Sequence, residues 1–195
     1  MAVVFGLGNP GSRYQDTRHN VGWSVIETLV ARWSAVRQPD QPTHRWWQAD
    51  RNGRTVALVE PQTYMNLSGD AVAGWRDEPG FDPGSMLVVL DDVYLPVGTL
   101  RLRARGSSGG HRGLESIEAA LGSTDYPRLR IGVGAAESGE QLRDHVLETF
   151  GPDEQEAVRV AIESSADAVE CWLNDGLVAA MNRFNRRVQK EASES

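Results

Sequence analysis

Histidines and carboxylates near glycine-rich turns are the side chains of this sequence best suited to chemistry at neutral pH. The chain has four histidines, and none has the His-Glu-x-x-His or a similar metal-ligand spacing. The sequence also lacks the Gly-x-Ser-x-Gly elbow that would carry a serine nucleophile. A hydrolase built from this sequence is therefore expected to use no metal and to activate water with a general base.

Two histidines are candidates for that base. His19 lies in a polar loop just before an apolar helical pattern, and His111 lies in a Gly-Gly-His-Arg-Gly segment. A histidine base needs a carboxylate that fixes its tautomer and supports the imidazolium. Asp91 and Asp92 follow an apolar strand pattern at residues 86–90, and strand carboxyl ends are where open α/β sheets place their sites. We favour His19, although an isolated histidine or a strand-end Asp pair is often purely structural.

The segment from Gly6 to Gly11 has the Gly-x-Gly-x-x-Gly pattern of a dinucleotide-binding turn. In that class the third glycine opens a helix whose N-terminus meets the pyrophosphate. Here a polar, aperiodic stretch follows Gly11, and the helical period begins only near Val21. Pro10 also removes a backbone N–H that a phosphate cradle would use. The pattern favours a tight turn that presents Asn9, whose amide can accept and donate hydrogen bonds, over a nucleotide-dependent enzyme.

The elements that must position these residues alternate between strand and helix patterns over the first two thirds of the chain. This alternation predicts a single three-layer α/β/α domain over residues 1–190, with a central mixed, mostly parallel sheet and a helical C-terminal third. Residues 191–195 are expected to be a disordered tail. Strands are predicted at residues 3–7, 44–49, 55–59, 86–90, 99–105 and 129–133, and helices at 21–33, 68–76, 114–121, 158–173 and 176–187.

Composition limits the location and the redox chemistry of the protein. The start of the chain lacks a basic segment followed by an apolar signal region, and no apolar run approaches the roughly 20 residues that span a bilayer. We therefore expect a cytoplasmic protein with no membrane contact, and a monomer. The single cysteine, Cys171, excludes an intramolecular disulfide and lies in an apolar helical pattern typical of a buried side chain.

Charge is unevenly distributed along the chain. The net charge of −7 argues against indiscriminate nucleic-acid binding, which needs many phosphate contacts from Lys and Arg. Arg101, Arg103 and Arg105 nevertheless alternate with apolar residues, so a strand would project all three from one face. We predict that this face binds a polyanion, with a merely solvated sheet face as the alternative.

Six groups of residues follow one another along residues 3 to 134. They are Gly6-Leu7-Gly8-Asn9-Pro10-Gly11 with Tyr14; Thr17-Arg18-His19-Asn20-Val21-Gly22; Pro61-Gln62-Thr63-Tyr64-Met65-Asn66-Leu67-Ser68-Gly69; Asp91-Asp92 before Leu95-Pro96; Gly109-Gly110-His111-Arg112-Gly113-Leu114; and Arg128-Leu129-Arg130-Ile131-Gly132-Val133-Gly134. Each group alone is a weak signal, but the ordered set is highly specific and resembles the bacterial-type peptidyl-tRNA hydrolases.

The resemblance implies hydrolysis of the ester between a peptide and the 3′-terminal ribose of tRNA, without a metal or organic cofactor. His19 matches the general base that takes a proton from the attacking water, and Asp91 matches the carboxylate that supports it. Asn9 matches the residue that separates N-blocked from free aminoacyl-tRNA. Asn66 matches a substrate-binding residue able to stabilise the oxyanion. The implied partner is peptidyl-tRNA.

Tyr14 and Tyr64 match positions that line the substrate site, where an aromatic ring can stack on a base.

The resemblance is incomplete at two other positions. Arg112, however, stands where the family usually has an Asn that binds substrate and holds the water, and Arg cannot accept a hydrogen bond. Tyr94 stands where the family usually has an Asp. Arg112 is kept as a substrate-binding candidate, and a non-catalytic tRNA-binding or RNA-binding relative remains the alternative function.

Overall fold

Seven strands and six helices form the part of the chain that the computed structural model describes, residues 1–79, 81–134 and 139–185. The strands are β1 (Ala2–Gly6), β2 (Val36–Arg37), β3 (His44–Arg51), β4 (Arg54–Pro61), β5 (Met86–Asp92), β6 (Leu100–Arg103) and β7 (Arg128–Gly132). The helices are α1 (Val21–Trp33), α2 (Ser68–Arg76), α3 (Arg112–Leu121), α4 (Gly139–Val146), α5 (Gln155–Asp175) and α6 (Leu177–Phe184).

The strands form one mixed sheet in the order β2-β3-β4-β1-β5-β7-β6. The four central strands, β4, β1, β5 and β7, are mutually parallel, whereas β2, β3 and β6 add antiparallel pairs at the edges. β1 is buried along its whole length, as expected for a central strand whose two faces are both covered. The predicted α/β fold with a mixed sheet is confirmed.

Helices pack against both faces of the sheet. Successive side chains of a strand point to opposite faces, so the apolar strands supply residues to a core on each side. Val4, Leu58 and Leu87 belong to a core that includes residues of α1 and α5. Val3 and Val59 belong to a second core, which includes residues of α2 and α3. Burying each of these aliphatic side chains contributes about 1.5–3 kcal/mol, so both helical layers are held by the sheet between them.

Some predicted boundaries differ from those of the structure. β2 and α4 are additional elements, and β5 extends to include Asp91 and Asp92 rather than stopping before them. β6 is shorter than predicted, so Arg105 lies beyond its end. The last residues of the helix predicted at 176–187 and the predicted tail at 191–195 lie outside the described residues. Across the described ranges, no helix has the length and apolar character required to cross a membrane.

The start of α1 lies against the end of β1 at backbone distance. A Cβ at Gly22 would lie 2.6 Å from the backbone N and O of Leu7, and one at Gly6 would lie 2.3 Å from the carbonyl oxygen of Gly22. Only glycine permits this approach. The contact fixes the loop between the two elements, which carries His19, at the carboxyl edge of the parallel strands.

Candidate active site

A cleft of about 520 Å³ opens at the carboxyl ends of β1 and β5. Its lining combines polar groups from several separate chain segments, an arrangement typical of sites at this edge of an α/β sheet. All seven predicted site residues line it: Asn9, Tyr14, His19, Tyr64, Asn66, Asp91 and Arg112.

Two histidines flank one buried carboxylate in this cleft. The Nδ1 of His19 lies 2.8 Å from Oδ1 of Asp91, and the Nε2 of His111 lies 2.9 Å from the same oxygen. Asp91 is 1% exposed at the end of β5, and the two imidazole rings are 5.3 Å apart. The strand therefore delivers the carboxylate, whereas a loop and the start of α3 deliver the rings.

The hydrogen bonds determine which ring can act as a base. Because a carboxylate only accepts hydrogen bonds, the Nδ1 of His19 is assigned as the donor, which leaves its Nε2 as the lone-pair nitrogen at the cleft. The Nε2 of His111 donates to Asp91, and its Nδ1 accepts from the N–H of Gly113 at 3.2 Å, so both ring nitrogens are engaged. The geometry therefore favours His19 over His111 as the base.

The two histidines also determine the charge of Asp91. Burial alone raises the pKa of Asp91, but its charge interactions and hydrogen bonds with His19 and His111 outweigh burial and hold that pKa far below its usual value. Asp91 is consequently a carboxylate at neutral pH. It is suited to stabilising an imidazolium on either ring.

Asn9 is fixed in one orientation by the groups around it. Its Oδ1 accepts the backbone N–H of Met65 at 2.7 Å, and its own backbone N–H donates to Oδ1 of Asn20 at 2.8 Å. Asn20 returns a hydrogen bond from Nδ2 to the carbonyl oxygen of Asn9 at 3.0 Å. The Nδ2 of Asn9 is thereby left as a hydrogen-bond donor at the cleft, although the residue is only 6% exposed.

Comparisons with known proteins agree with this arrangement. The sequence profile of the Peptidyl-tRNA hydrolase family matches residues 3–193. A peptidyl-tRNA hydrolase from Chloroflexus aggregans is 46% identical over 186 residues, which are 95% of this chain and 99% of that protein. One from Symbiobacterium thermophilum is 44% identical over 94% of this chain and 98% of that protein. The chain belongs to the peptidyl-tRNA hydrolase family.

The fold is shared as well as the sequence. The crystal structure of peptidyl-tRNA hydrolase from Acinetobacter baumannii superposes with a TM-score of 0.89 at 32% identity, covering 95% of this chain and 94% of that one. The predicted family membership and the predicted hydrolase class are confirmed by these matches.

The remaining predicted residues form the walls of the cleft. Tyr14 and Tyr64 meet edge to face with ring centroids 6.3 Å apart, and Tyr64 is 57% exposed. Asn66 is exposed on the short 3₁₀ turn Met65–Leu67. Arg112 is exposed at the first residue of α3. The cleft thus has an aromatic wall on one side and a cationic group at a helix N-terminus.

Sequence reasoning missed the anchor of the His19 loop. The guanidinium of Arg18 is 6% exposed and donates to the carbonyl of Val133 at 2.9 Å and to the carboxylate of Glu154 at 2.9 and 2.7 Å. The bonds from Arg18 lower the pKa of Glu154. The backbone N–H of Arg18 also donates to the carbonyl of Glu148 at 2.9 Å. The sequence signal was only an arginine directly before the candidate base.

His19, Asp91 and His111 could also offer ligand atoms to one metal ion, since these atoms lie within 4.8 Å of one another. Two imidazole nitrogens and a carboxylate oxygen form a donor set that zinc uses. A metal on Nδ1 of His19 would, however, leave the proton on Nε2 and remove the lone pair that a base needs. A metal on these atoms and a general base at His19 are therefore alternatives.

Proposed function

We propose that this chain hydrolyses the ester between the carboxyl group of a peptide and the 3′-terminal ribose of tRNA, releasing peptide and free tRNA, with His19 as the general base. One observation carries the assignment of the base: Asp91 accepts from Nδ1 of His19, so Nε2 faces the cleft as a proton acceptor. His111 has both ring nitrogens engaged and supports Asp91 instead.

The reaction needs only groups that the cleft contains. Nε2 of His19 removes a proton from a water molecule as its oxygen attacks the ester carbonyl, and Asp91 stabilises the resulting imidazolium. The tetrahedral intermediate carries its negative charge on the former carbonyl oxygen, near the amide of Asn66. The C–O bond to the ribose then breaks, and the imidazolium returns its proton to the ribose oxygen. No metal or organic cofactor is required.

Asn9 explains how a peptide is distinguished from a free amino acid. Its Nδ2 can donate to the acyl carbonyl that an N-blocked substrate carries next to the scissile ester. A free aminoacyl ester has an ammonium group there, which offers no acceptor. Because Asn9 reads a backbone group, the peptide sequence need not matter.

The other predicted residues are assigned to binding. Tyr14 and Tyr64 present aromatic surface on which a base or an apolar side chain can stack. Arg112 presents a guanidinium that suits a phosphate of the tRNA 3′ end. Both roles affect binding more than the chemical step.

Hydrolysis of an N-acetyl-aminoacyl-tRNA by the purified chain tests the proposal. Wild type is expected to cleave the ester with or without a metal chelator, and His19→Ala is expected to lower kcat by about 10²–10⁴-fold. His111→Asn removes one hydrogen bond from Asp91 but leaves the base, so its loss should be smaller.

Three results would contradict the proposal. Near-wild-type turnover by His19→Ala would exclude His19 as the base, and loss of activity on chelation would favour the metal alternative. Binding of the tRNA without cleavage by wild type would favour a non-catalytic RNA-binding relative.

We also propose that residues 1–190 form one catalytic domain that acts as a cytoplasmic monomer. The two cores on a single sheet support one domain. Sedimentation at micromolar concentration should give a mass near 21.4 kDa, and a dimer mass would contradict the monomer.

A further inference from the structure

A buried carboxylate lies behind the turn that carries Asn9. Glu60, near the end of β4, is 0% exposed and forms an ion pair with Nε of Arg45, its partner in the antiparallel register with β3. Among the described residues, Oε1 of Glu60 has no hydrogen-bond partner. An incompletely satisfied buried carboxylate is unfavourable for stability, which suggests a role beyond packing.

Arg45 also contacts an aromatic ring. Its guanidinium lies over the indole of Trp23 on α1, 4.9 Å from the ring centroid, and 5.8 Å from the centroid of Trp47 on β3. Arg37 lies over the ring of Trp47 at 4.6 Å. Glu60 thus fixes Arg45, and Arg45 covers one face of the Trp23 ring.

Trp23 also packs against the glycine-rich turn that carries Asn9. A Cβ at Gly8 would lie 2.8 Å from atoms Cδ1 and Nε1 of the indole, so the ring is in direct contact with the Gly8 backbone. The next residue is Asn9, whose Nδ2 is the donor assigned above to the acyl carbonyl. A continuous set of contacts therefore joins Glu60 to Asn9.

We propose that Glu60, Arg45 and Trp23 are positioning residues that hold Gly8, and through it the side-chain amide of Asn9, in the geometry that binds the peptide end of the substrate. This inference rests on the proposed function of Asn9. Asp91 holds His19 and His111 through hydrogen bonds that involve none of these three residues, and Asn20 binds the backbone of Asn9 independently of them. Loosening the set should therefore weaken substrate binding while leaving the chemical step intact.

The charges around Glu60 make this arrangement dependent on pH. Burial raises the pKa of Glu60 to about 7, although Arg45 and Arg37 oppose this and Glu27 adds to it. The pKa of Glu27, an exposed residue of α1, is itself raised, by desolvation and by Asp16, against the effect of Arg45. Acidification through neutral pH therefore neutralises Glu60 and weakens its hold on Arg45.

Steady-state kinetics on the N-acetyl-aminoacyl-tRNA test the positioning role. Trp23→Ala and Arg45→Lys are expected to raise KM roughly tenfold and to change kcat less than about twofold, because misplacement of a contacting group affects binding. Trp23→Phe keeps a ring against Gly8 and should restore most of the affinity. Arg51→Lys is the matched control, since Arg51 lies over the ring of Trp33 at 5.1 Å, at the end of strand β3 opposite to Arg45.

Glu60→Gln keeps the shape of the side chain and separates this inference from a folding defect. Wild-type KM should rise as the pH falls from 8 to 6, whereas Glu60→Gln should show a raised KM that stays constant over this range. The pH dependence of kcat should be the same in both proteins, because Glu60 forms no contact with His19 or Asp91.

The outcomes are distinguishable from failure of the proposed function. If wild type does not cleave the substrate, the proposed function fails before the variants are compared. If wild type is active but Glu60→Gln and Trp23→Ala keep its KM and its pH profile, the positioning role is wrong. Equal changes in kcat and KM in the Arg51→Lys and Arg45→Lys variants would also overturn the positioning role.

Discussion

Asn20 binds the peptide unit of Asn9 through both ends of its side-chain amide. The Oδ1 accepts the Asn9 N–H at 2.8 Å, and the Nδ2 donates to the Asn9 carbonyl at 3.0 Å. Asn20 directly follows His19, so a single pair of hydrogen bonds couples the proposed base to the residue that reads the peptide. This pair sets the spacing between the two functional groups.

Asn20→Asp tests this coupling. The substitution keeps the acceptor but removes the donor, which leaves the carbonyl of Asn9 beside a carboxylate and should lower the free energy of unfolding by about 1–3 kcal/mol. The KM for N-acetyl-aminoacyl-tRNA should also rise. Asn182→Asp, at an exposed residue of α6 whose side chain forms no hydrogen bond with the described residues, is the matched control and should change neither quantity. An unaltered KM in Asn20→Asp would contradict the coupling.

Asn9→Asp should change which substrate is preferred. One carboxylate oxygen can still accept the Met65 N–H, while the other faces the cleft as an acceptor in place of the amide donor. We expect kcat/KM for N-acetyl-aminoacyl-tRNA to fall by about 10²-fold and that for free aminoacyl-tRNA to rise, since an ammonium can now donate. Assays of both substrates with one enzyme preparation measure the ratio. A ratio equal to that of wild type would mean that Asn9 does not read the acyl group.

Arg112→Asn introduces the residue that the family resemblance implies at this position and tests the assigned phosphate contact. We expect KM to rise at low salt and the slope of log affinity against log salt to decrease by about 1, because one phosphate contact is lost. Arg159→Asn is the control, since Arg159 is exposed on α5 and does not line the cleft. An unchanged KM with a higher kcat would instead indicate that position 112 acts on the attacking water.

Replacing Arg101, Arg103 and Arg105 by Ala tests the predicted polyanion-binding face. All three are exposed, the first two on edge strand β6. If they contact tRNA phosphates, the salt slope of tRNA binding should decrease by about 1 for each contact. A triple Ala variant of Arg54, Arg76 and Arg159, on β4, α2 and α5, removes the same number of charges and controls for net charge. A triple variant with the wild-type slope would leave these arginines as a solvated sheet face.

Glu60 should make stability depend on pH in a direction opposite to that of an ordinary paired carboxylate. Its pKa in the folded protein, about 7, lies above its unfolded value, so the stability it contributes is complete below about pH 4.5 and is lost as the pH rises through 7. Relative to Glu60→Gln, wild type should therefore gain roughly 1 kcal/mol in unfolding free energy between pH 8 and pH 6. Urea titration of both proteins measures this difference.

The comparison with Glu60→Gln cancels other titrations. Burial lowers the pKa of His44 and would reduce stability toward acidic pH in both proteins. Glu78→Gln, at an exposed acid, should follow wild type at every pH. A constant difference between wild type and Glu60→Gln across this range would contradict the raised pKa.

The strand patterns predicted most of the sheet because burial on both faces leaves a continuous apolar signal, as in β1 and β5. β2 escaped prediction because two exposed residues, Val36 and Arg37, carry no periodicity and pair only through β3. α4 escaped because its sequence, Gly-Glu-Gln-Leu-Arg-Asp-His-Val, has few apolar positions.

The candidate site was predictable in part. Chemistry and resemblance named His19 and Asp91, and the structure brings them within hydrogen-bond distance. That His111 shares the same carboxylate oxygen could not be derived, since it depends on how α3 begins relative to β5. The roles of Asn20 and Arg18 could not be predicted from the sequence either, because both bind partners that are distant in sequence, between 11 and 136 residues away.

The anchorage of Arg18 bears on when the protein becomes competent during its synthesis. The loop that carries His19 lies within about the first tenth of the 195-residue chain, so it is synthesised early, whereas its anchors, Val133, Glu148 and Glu154, are synthesised much later. A nascent chain that ends before Glu154 contains His19 and Asp91, but the guanidinium of Arg18 lacks its carboxylate partner. Competence is thus reached only when the C-terminal helices have left the ribosome and docked on the sheet.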